Sequence, residues 1–214
     1  MPITHTLEQW LKNSGYEYHC FISWPHTKNK NMTQCARNIK EAIEESLALS
    51  IASPRVFLDE SEIYGGADWQ ETLIRSLCRS VAMVSICAPI YYHPSHTWCG
   101  LEWAAMHGLS QQRIPRAEFK TIIPVLLKQD SSMPECISQI QYVDFSGVIV
   151  RGRRYYSTND FRSKITQIVN RIEQIAQTLQ SNSSITTCEQ FIAPPASAFA
   201  NHPTKDDLFP FRAT

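Results

Sequence analysis

The sequence predicts an α/β domain in which a doubly wound parallel sheet of about five strands is covered by helices on both faces. Short apolar runs alternate along the chain with segments in which apolar residues recur every three or four positions, as strands and amphipathic helices do. The runs are apolar throughout instead of alternating with polar residues, so both sides of the sheet must be covered. Right-handed crossovers then place helices on both faces, and such a sheet binds ligands outside the carboxyl ends of its strands.

Five apolar runs are the predicted strands, and prolines mark several of their limits. Pro25 follows the first run, Pro54 precedes the second and Pro89 follows the third, because a proline cannot donate a hydrogen bond to a neighbouring strand. The runs span 19–23, 55–58, 81–88, 121–127 and 141–145.

Four helices are predicted from the spacing of apolar residues. The first carries them three or four positions apart over 36–47, with charged residues between. The second has one apolar face over 69–77, and the third spans 98–109. The fourth, over 161–179, has the clearest period, with apolar residues spaced four, three, four, three and four apart.

The chain divides into a polar lead-in at 1–15, one domain at 16–179 and a tail at 180–214. A length of 214 residues suits one domain with tails. The tail is rich in serine and proline, so we expect it to be disordered or loosely docked. It also holds rings that would pack on the domain or on a partner, those of Phe199, Phe209 and Phe211.

Charge and composition argue against several classes of protein. The formal net charge is zero and the pI about 7.0, so no broad electrostatic surface attracts nucleic acid or an acidic membrane. No run approaches the length of a membrane span, and the first residues do not resemble a signal peptide. Seven cysteines, an odd number, are scattered along the chain, so we expect a cytoplasmic protein with free thiols.

Five motifs, in order and at suitable spacing, resemble those of one family. They correspond to its FISY opening, its second strand with a following acidic residue, its glycine-containing loop, the LSPxY exit of its third strand and the WCxxEL start of its third helix. In this chain they are FISW at 21–24, VFLD at 56–59, GGADW at 65–69, SICAPIY at 85–91 and WCGLEW at 98–103.

The chain is thus similar to the TIR (Toll/interleukin-1 receptor) domain family over about residues 16–179. It departs from the family pattern at Trp103, where an aliphatic residue is usual, and in a long segment before Thr121. The resemblance implies a flavodoxin-like sheet. It also implies one of two functions, because some members are adaptors that assemble through TIR–TIR contacts and others are enzymes.

The enzymes of the bacterial NAD-consuming type cleave the nicotinamide–ribose bond of NAD. They yield ADP-ribose, a cyclised product or a base-exchanged conjugate, often as an anti-phage defence signal for a separate effector. Their essential glutamate on the third helix matches Glu102. Their sites are often completed by a neighbouring subunit through the loop that corresponds to 59–68, so the resemblance also implies self-association.

The chemistry of NAD cleavage fits a carboxylate that works without a metal or a cofactor. Breaking the bond builds an oxocarbenium ion, which a carboxylate beneath the sugar stabilises most strongly in a water-poor pocket. Trp98 lies four residues before Glu102, so the two side chains share a helix face. NAD is then the substrate, and the residues predicted to bind it are Phe21, Ser23, Trp24, Asp59, Trp69 and Trp98.

Each candidate residue also has a structural interpretation. A glutamate on a helix is usually solvated, and Trp69 and Trp98 would serve equally as core aromatics that anchor helices. Asp59 would cap a turn. A non-catalytic TIR adaptor, or a mimic of host signalling, is therefore the rival to the enzyme, and a retained glutamate does not exclude it.

Weaker chemical alternatives remain. Cys87, His93, His96 and Cys99 are permitted zinc ligands, but Cys87 falls in a buried strand and no C-x-x-C pair accompanies it. No Cys–His pair follows from spacing, so a nucleophilic cysteine has little support. The basic segment 151–154, beside two tyrosines, would bind a phosphate or a base, although such a segment is more often a solvated loop.

Overall fold

A parallel sheet is the central element of the structure, which is a computed structural model. The structure describes residues 9–59, 67–93, 96–114, 120–128, 133, 137, 140–149, 154–182, 188 and 191, with the backbone alone at 67–70 and 149. The five strands are β1 (Tyr18–Ser23), β2 (Val56–Leu58), β3 (Ser80–Cys87), β4 (Ile122–Leu126) and β5 (Val143–Asp144).

The sheet has the strand order β2-β1-β3-β4-β5, and every neighbouring pair is parallel. This is the flavodoxin-like order, in which the direction of winding changes between β1 and β3. The two strands pair along most of β1, with Ser23 opposite Ser85 at the carboxyl end. The prediction of a doubly wound parallel sheet is therefore confirmed.

Helices connect the strands and cover the sheet. Asn29 caps the first helix by accepting a hydrogen bond from the backbone N–H of Asn31, and Thr158 caps the last through the N–H of Phe161. Two short 3-10 turns lie at Pro89–Tyr92 and Tyr155–Ser157. The helices whose bounds lie within the described ranges are α1 (Lys30–Leu47), α2 (Ala67–Cys78), α3 (Thr97–Arg113), the single turn α4 (Ser146–Ile149) and α5 (Asn159–Ser181).

Two apolar layers hold the sheet from opposite sides. In β1, Cys20 and Ile22 pack with the buried faces of α1 and α5, whereas Phe21 packs with α2 and α3. Successive side chains of a strand point to opposite faces, so a strand that is apolar throughout contributes side chains to both layers. The four longer helices fall where the spacing of apolar residues predicts them, and α3 extends one turn beyond its predicted end.

The prediction that all cysteines are free thiols is wrong for one pair. Cys78, at the end of α2, forms a disulfide with Cys188, and their Cα atoms are 5.9 Å apart. The two residues are separated by 110 positions, so only the tertiary structure brings them together. The expectation of a reducing compartment drew on unpaired cysteines, and it loses that support.

The disulfide also bears on the predicted tail. Cys188 and Phe191 are partly buried and pack against the apolar layer of α2 and α3, so these two residues are docked. Phe199, Phe209 and Phe211 lie outside the described residues. No helix within the described ranges is long and apolar enough to cross a membrane.

Candidate active site

The carboxyl edge of the sheet gathers polar side chains at the point where the winding direction changes. Ser23 ends β1, Asp59 follows β2 and Tyr91 lies in the 3-10 turn that follows β3. All three are buried, and the first turns of α3 bring Glu102 to the same edge. Doubly wound sheets bind their ligands at this crevice.

Glu102 is the central side chain of this group. The residue is 6% exposed, and its Oε2 atom accepts a hydrogen bond of 2.5 Å from the hydroxyl of Ser23. The Ser23 oxygen also lies 2.7 Å from the hydroxyl of Tyr91. Because Ser23 has one proton and gives it to Glu102, Tyr91 is the donor in the second bond.

The buried surroundings change the acidity of Glu102. Burial raises the pKa of its carboxyl to about 8, the hydrogen bond from Ser23 opposes the rise, and the charge of Asp59 adds to it. The carboxyl is therefore largely protonated near neutral pH when no ligand is bound. A positively charged ligand would favour the carboxylate, so the site is suited to a cation.

A second group of side chains joins the ends of β1 and β2. The indole Nε1 of Trp24 donates a hydrogen bond of 3.1 Å to the backbone carbonyl of Asp59. The ring of His26 stacks on Trp24 with centroids 4.4 Å apart, and its Nε2 atom lies 3.9 Å from the Asp59 carboxylate. Burial lowers the pKa of His26, and Asp59 opposes that effect. These contacts hold the two loops together beside Glu102.

The tryptophans of the predicted site occupy different positions. Trp98 lies one turn before Glu102 on α3 and packs, partly buried, against the apolar layer of α2 and α3. It therefore contacts the core and is also partly exposed. Trp69 lies in the first turn of α2, and its side chain is outside the described part, as is the loop segment 60–66.

Phe21 is fully buried and stacks on Phe57, with ring centroids 5.1 Å apart. In this conformation its ring has no surface to offer a ligand. Of the residues predicted to bind substrate, the structure brings Ser23, Trp24 and Asp59 to one edge with Glu102.

The cysteines near the site are poor nucleophiles. Burial raises the pKa of the Cys87 thiol to about 11 and that of Cys99 well above its usual range, so both are neutral thiols near pH 7. Within the part of the chain described, no three histidine, cysteine or carboxylate side chains gather into a metal-binding group. In the basic segment, only Arg154 is described, and it is exposed.

Two residues of this edge were missed by reasoning from the sequence. Tyr91 lies in a motif, but nothing in its spacing indicates that its hydroxyl meets Ser23, which is 68 positions away. His26 follows Pro25, after the first predicted strand, and nothing in the sequence indicates that its ring stacks on Trp24. Cavity size does not indicate this site either. A cavity of about 920 Å³ lies on the other side of the sheet, between α1 and Tyr155.

Comparison with known proteins places the chain in a family. The family model described as TIR domain matches residues 21–154, which is more than half of the chain. The chain therefore belongs to the TIR domain family, and the resemblance drawn from its motifs is confirmed.

One match among solved structures is described as the activated Roq1 resistosome directly recognizing the pathogen effector XopQ (TIR domains). It is 15% identical, it covers 78% of this chain and 100% of that chain, and its TM-score is 0.37. A likeness at this level supports no conclusion about activity. No curated protein matches the chain.

Proposed function

We propose that this TIR domain cleaves the nicotinamide–ribose bond of NAD, with Glu102 as the catalytic residue. One observation carries the proposal. A carboxyl buried at the crevice of a doubly wound sheet has one oxygen, Oε2, held by Ser23, and Oε1 has no hydrogen-bond partner among the described residues. A carboxyl whose pKa is raised by burial to about 8 is costly in a purely structural role, so a ligand contact at this edge of the sheet explains why it is there.

The bonds that break and form in this reaction belong to NAD and to the group that adds to it. The bond between C1′ of the ribose and the pyridinium nitrogen breaks, and both electrons leave with nicotinamide, which becomes neutral. C1′ is left as an oxocarbenium ion, and a water adds to it and releases a proton, giving ADP-ribose. In cyclisation a hydroxyl of the same molecule adds to C1′ in place of water. In base exchange another base adds there instead.

Glu102 stabilises the positive charge that the substrate carries during this reaction. The cationic ribosyl–pyridinium group favours the ionised carboxyl, which offsets the burial that raises its pKa. As nicotinamide leaves, the charge moves to the sugar, and a fixed carboxylate in a water-poor site stabilises it without reorganising. A free carboxylate oxygen also serves to accept a hydrogen bond from a ribose hydroxyl.

The surrounding aromatic side chains would bind the flat parts of the substrate. Trp98 has exposed surface one turn from Glu102, and Trp24 and His26 form a stacked pair at the end of β1. Asp59 is held beside them by the bond from Trp24 to its carbonyl. Trp69 stays a predicted platform from the neighbouring helix, and NAD is a substrate here, so the proposal needs no cofactor.

A non-catalytic TIR module is the alternative. Domains of this family commonly self-assemble, and Leu49, two residues after the end of α1, is 90% exposed and would be covered by a second chain bound there. A role in bacterial anti-phage defence, with a separate effector that reads the product, follows from the enzymatic proposal and from the family resemblance. It also requires a cytoplasmic chain.

The test is incubation of the full chain with NAD, followed by chromatography of the products. We expect nicotinamide together with ADP-ribose, a cyclised isomer or a base-exchanged conjugate. Glu102→Gln should lower the rate by about 10²–10³ while the fold is retained. Glu45→Gln, an exposed glutamate on α1, is the matched control and should cleave at the wild-type rate. Near-wild-type cleavage by a folded Glu102→Gln chain would leave the adaptor as the better account.

A further inference from the structure

We propose that Ser23 and Tyr91 are positioning residues for Glu102, and that their hydroxyl chain directs Oε1 of the carboxyl toward the ligand. This inference rests on the proposed function, because it assigns a role in that same site. Ser23 was predicted as a substrate contact from its place at the end of β1, whereas its hydroxyl contacts Glu102 and Tyr91.

The chain of hydrogen bonds has a fixed direction. Tyr91 and Ser23 are each 1% exposed, so their hydroxyl groups depend on protein partners. Burial raises the pKa of Tyr91 well above its usual range, with smaller contributions from the nearby Cys99, Cys87 and Glu102. Tyr91 therefore stays protonated and donates to Ser23, and Ser23 has its own proton left for Oε2 of Glu102.

The three side chains come from elements that are connected by strand pairing and hydrogen bonds. Ser23 is the last residue of β1 and is paired with Ser85 in β3, and Tyr91 follows β3 in a 3-10 turn that begins at Pro89. The hydrogen bonds tie α3, which carries Glu102, to both of these strands. The carboxyl is thus fixed by the two strands between which the winding direction changes.

The consequence is a difference between the two oxygens of Glu102. Oε2 is committed to Ser23, and the other oxygen has no partner within the ranges that the structure describes. When the carboxyl is protonated, its proton belongs on Oε1, because Oε2 already accepts a bond. When it is ionised, Oε1 is the oxygen available to a cation or a sugar hydroxyl. Loss of the hydrogen bonds from Tyr91 to Ser23 and from Ser23 to Glu102 would let the carboxyl rotate, and its two oxygens would become equivalent.

Ser23 also affects the acidity of Glu102. Its donated hydrogen bond favours the carboxylate and opposes the burial that raises the pKa. The other titratable groups that interact with the carboxyl are Asp59 after β2, Tyr91, and Cys99 on α3. Cys87 at the end of β3 interacts with Tyr91 and Cys99, and His26 acts through Asp59. None of these is a lysine or an arginine, so Ser23 is the group that most directly favours the ionised form.

The experiment compares Tyr91→Phe and Ser23→Ala with Tyr92→Phe. Tyr92→Phe removes a buried hydroxyl from the same 3-10 turn, one that contacts Cys87 instead of Ser23, so it is the matched control. Two quantities are measured on each folded variant of the full chain. The first is the rate of nicotinamide release from NAD across pH. The second is the titration of the Glu102 carboxyl by ¹³C NMR on glutamate-labelled protein, assigned with Glu102→Gln.

We expect Ser23→Ala to lower kcat by roughly 10- to 100-fold, which is the loss of one hydrogen bond to a charged group. Its pH–rate profile and its carboxyl titration should both move to higher pH. Tyr91→Phe, which is nearly isosteric, should move both in the same direction by less, and Tyr92→Phe should move neither.

A Ser23→Ala or Tyr91→Phe chain that titrates and turns over as wild type would overturn the inference. So would an equal loss in all three variants, since that would indicate a general packing effect. If wild-type protein cleaves no NAD but the carboxyl titration still shifts in Ser23→Ala, then the positioning role holds and the proposed function fails. If Ser23→Ala does not fold, Tyr91→Phe decides the matter alone.

Discussion

The two ends of α3 each hold a buried charged side chain, and they are built differently. Glu102, in the second turn, lies at the carboxyl edge of the sheet, whereas Arg113 ends the helix at the amino edge. Arg113 is 1% exposed, and its guanidinium donates to the backbone carbonyls of Ser80, at 3.0 Å, and of Cys78. It also lies over the ring of Tyr16, 5.1 Å from the centroid.

The difference separates a structural charge from a candidate functional one. Arg113 has partners on several of its N–H groups, and two of those partners are backbone atoms that stay in place. Glu102 has one oxygen bound, and it lies at the edge where doubly wound sheets bind ligands. Burial of a charge alone therefore does not identify a site in this protein. Glu102 is a candidate because its hydrogen bonding is incomplete and it lies at the ligand-binding edge.

The largest expected effect is the pH dependence of stability that comes from Glu102. Its pKa is about 8 in the folded chain and about 4.3 in an unfolded one, so the unfolded state ionises first as pH rises. The contribution of Glu102 to the free energy of unfolding should be full below about pH 4.3. It should fall between the two values and level off above about pH 8, a loss on the order of several kcal/mol.

Urea denaturation of the wild type and of Glu102→Gln at a series of pH values checks this. The difference between the two curves isolates Glu102 from the other acids, and Glu45→Gln, at an exposed position on α1, is the control substitution. A difference curve that is flat from pH 4 to pH 9 would mean that the carboxyl titrates normally.

The next effect concerns the other end of α3. Arg113→Met keeps an apolar stem and removes the donors to the carbonyls of Ser80 and Cys78, so we expect a loss of about 2–4 kcal/mol in stability. Turnover per folded molecule should not change, in contrast to Glu102→Gln. The exposed Arg162→Met on α5 is the control. If Arg113→Met lowers turnover while the melting temperature holds, then the two ends of the helix are not separable.

Trp98 combines a structural and a candidate functional role, because it has core contacts and lies one turn from Glu102. Trp98→Ala should lower stability by about 1–3 kcal/mol, which is less than for a fully buried ring, and it should also slow NAD cleavage. Trp98→Phe should recover most of the stability. Melting curves and nicotinamide release on the same preparations measure the two effects. An unchanged rate in Trp98→Ala would assign the ring to the core alone.

The smallest effect is expected for a partly exposed ion pair at the amino edge. Arg79 and Glu17 form a salt bridge, and their side chains are 32% and 38% exposed. Glu17→Gln should cost less than about 1 kcal/mol, because solvent screens the pair, and the cost should shrink as salt is added. Denaturation at low and high ionic strength checks it. A cost as large as that of Arg113→Met would show that exposure does not separate these charges.

Much of the fold was predictable because it depends on local patterns. The apolar runs became β1 to β4 with limits within about two residues, and β5 formed as a two-residue strand within the run predicted at 141–145. The period over 161–179 predicted α5, whose buried residues are those of the predicted face together with Val169 and Ala176. These patterns reflect one element and one layer, so a single sequence contains them.

The candidate site was predictable only in part. Glu102 and Asp59 were predicted from the resemblance to the family motifs, Trp98 from its spacing of four before Glu102, and Ser23 from its place at the end of a strand. Nothing local predicts that Ser23 donates to Glu102 or accepts from Tyr91, since 79 and 68 positions separate the pairs. The disulfide between Cys78 and Cys188 is another contact of this kind.

The sequence by itself determined that strands and helices alternate, that both faces of the sheet are covered, and that a glutamate and a tryptophan share a helix face. The tertiary structure alone decided which oxygen of that glutamate is held, how strongly burial raises its pKa, and which cysteines pair. The physical reason is the range of the interactions. Periodicity and capping act over a few residues, whereas desolvation and hydrogen bonds between elements depend on neighbours that only the packing of the sheet and helices brings together.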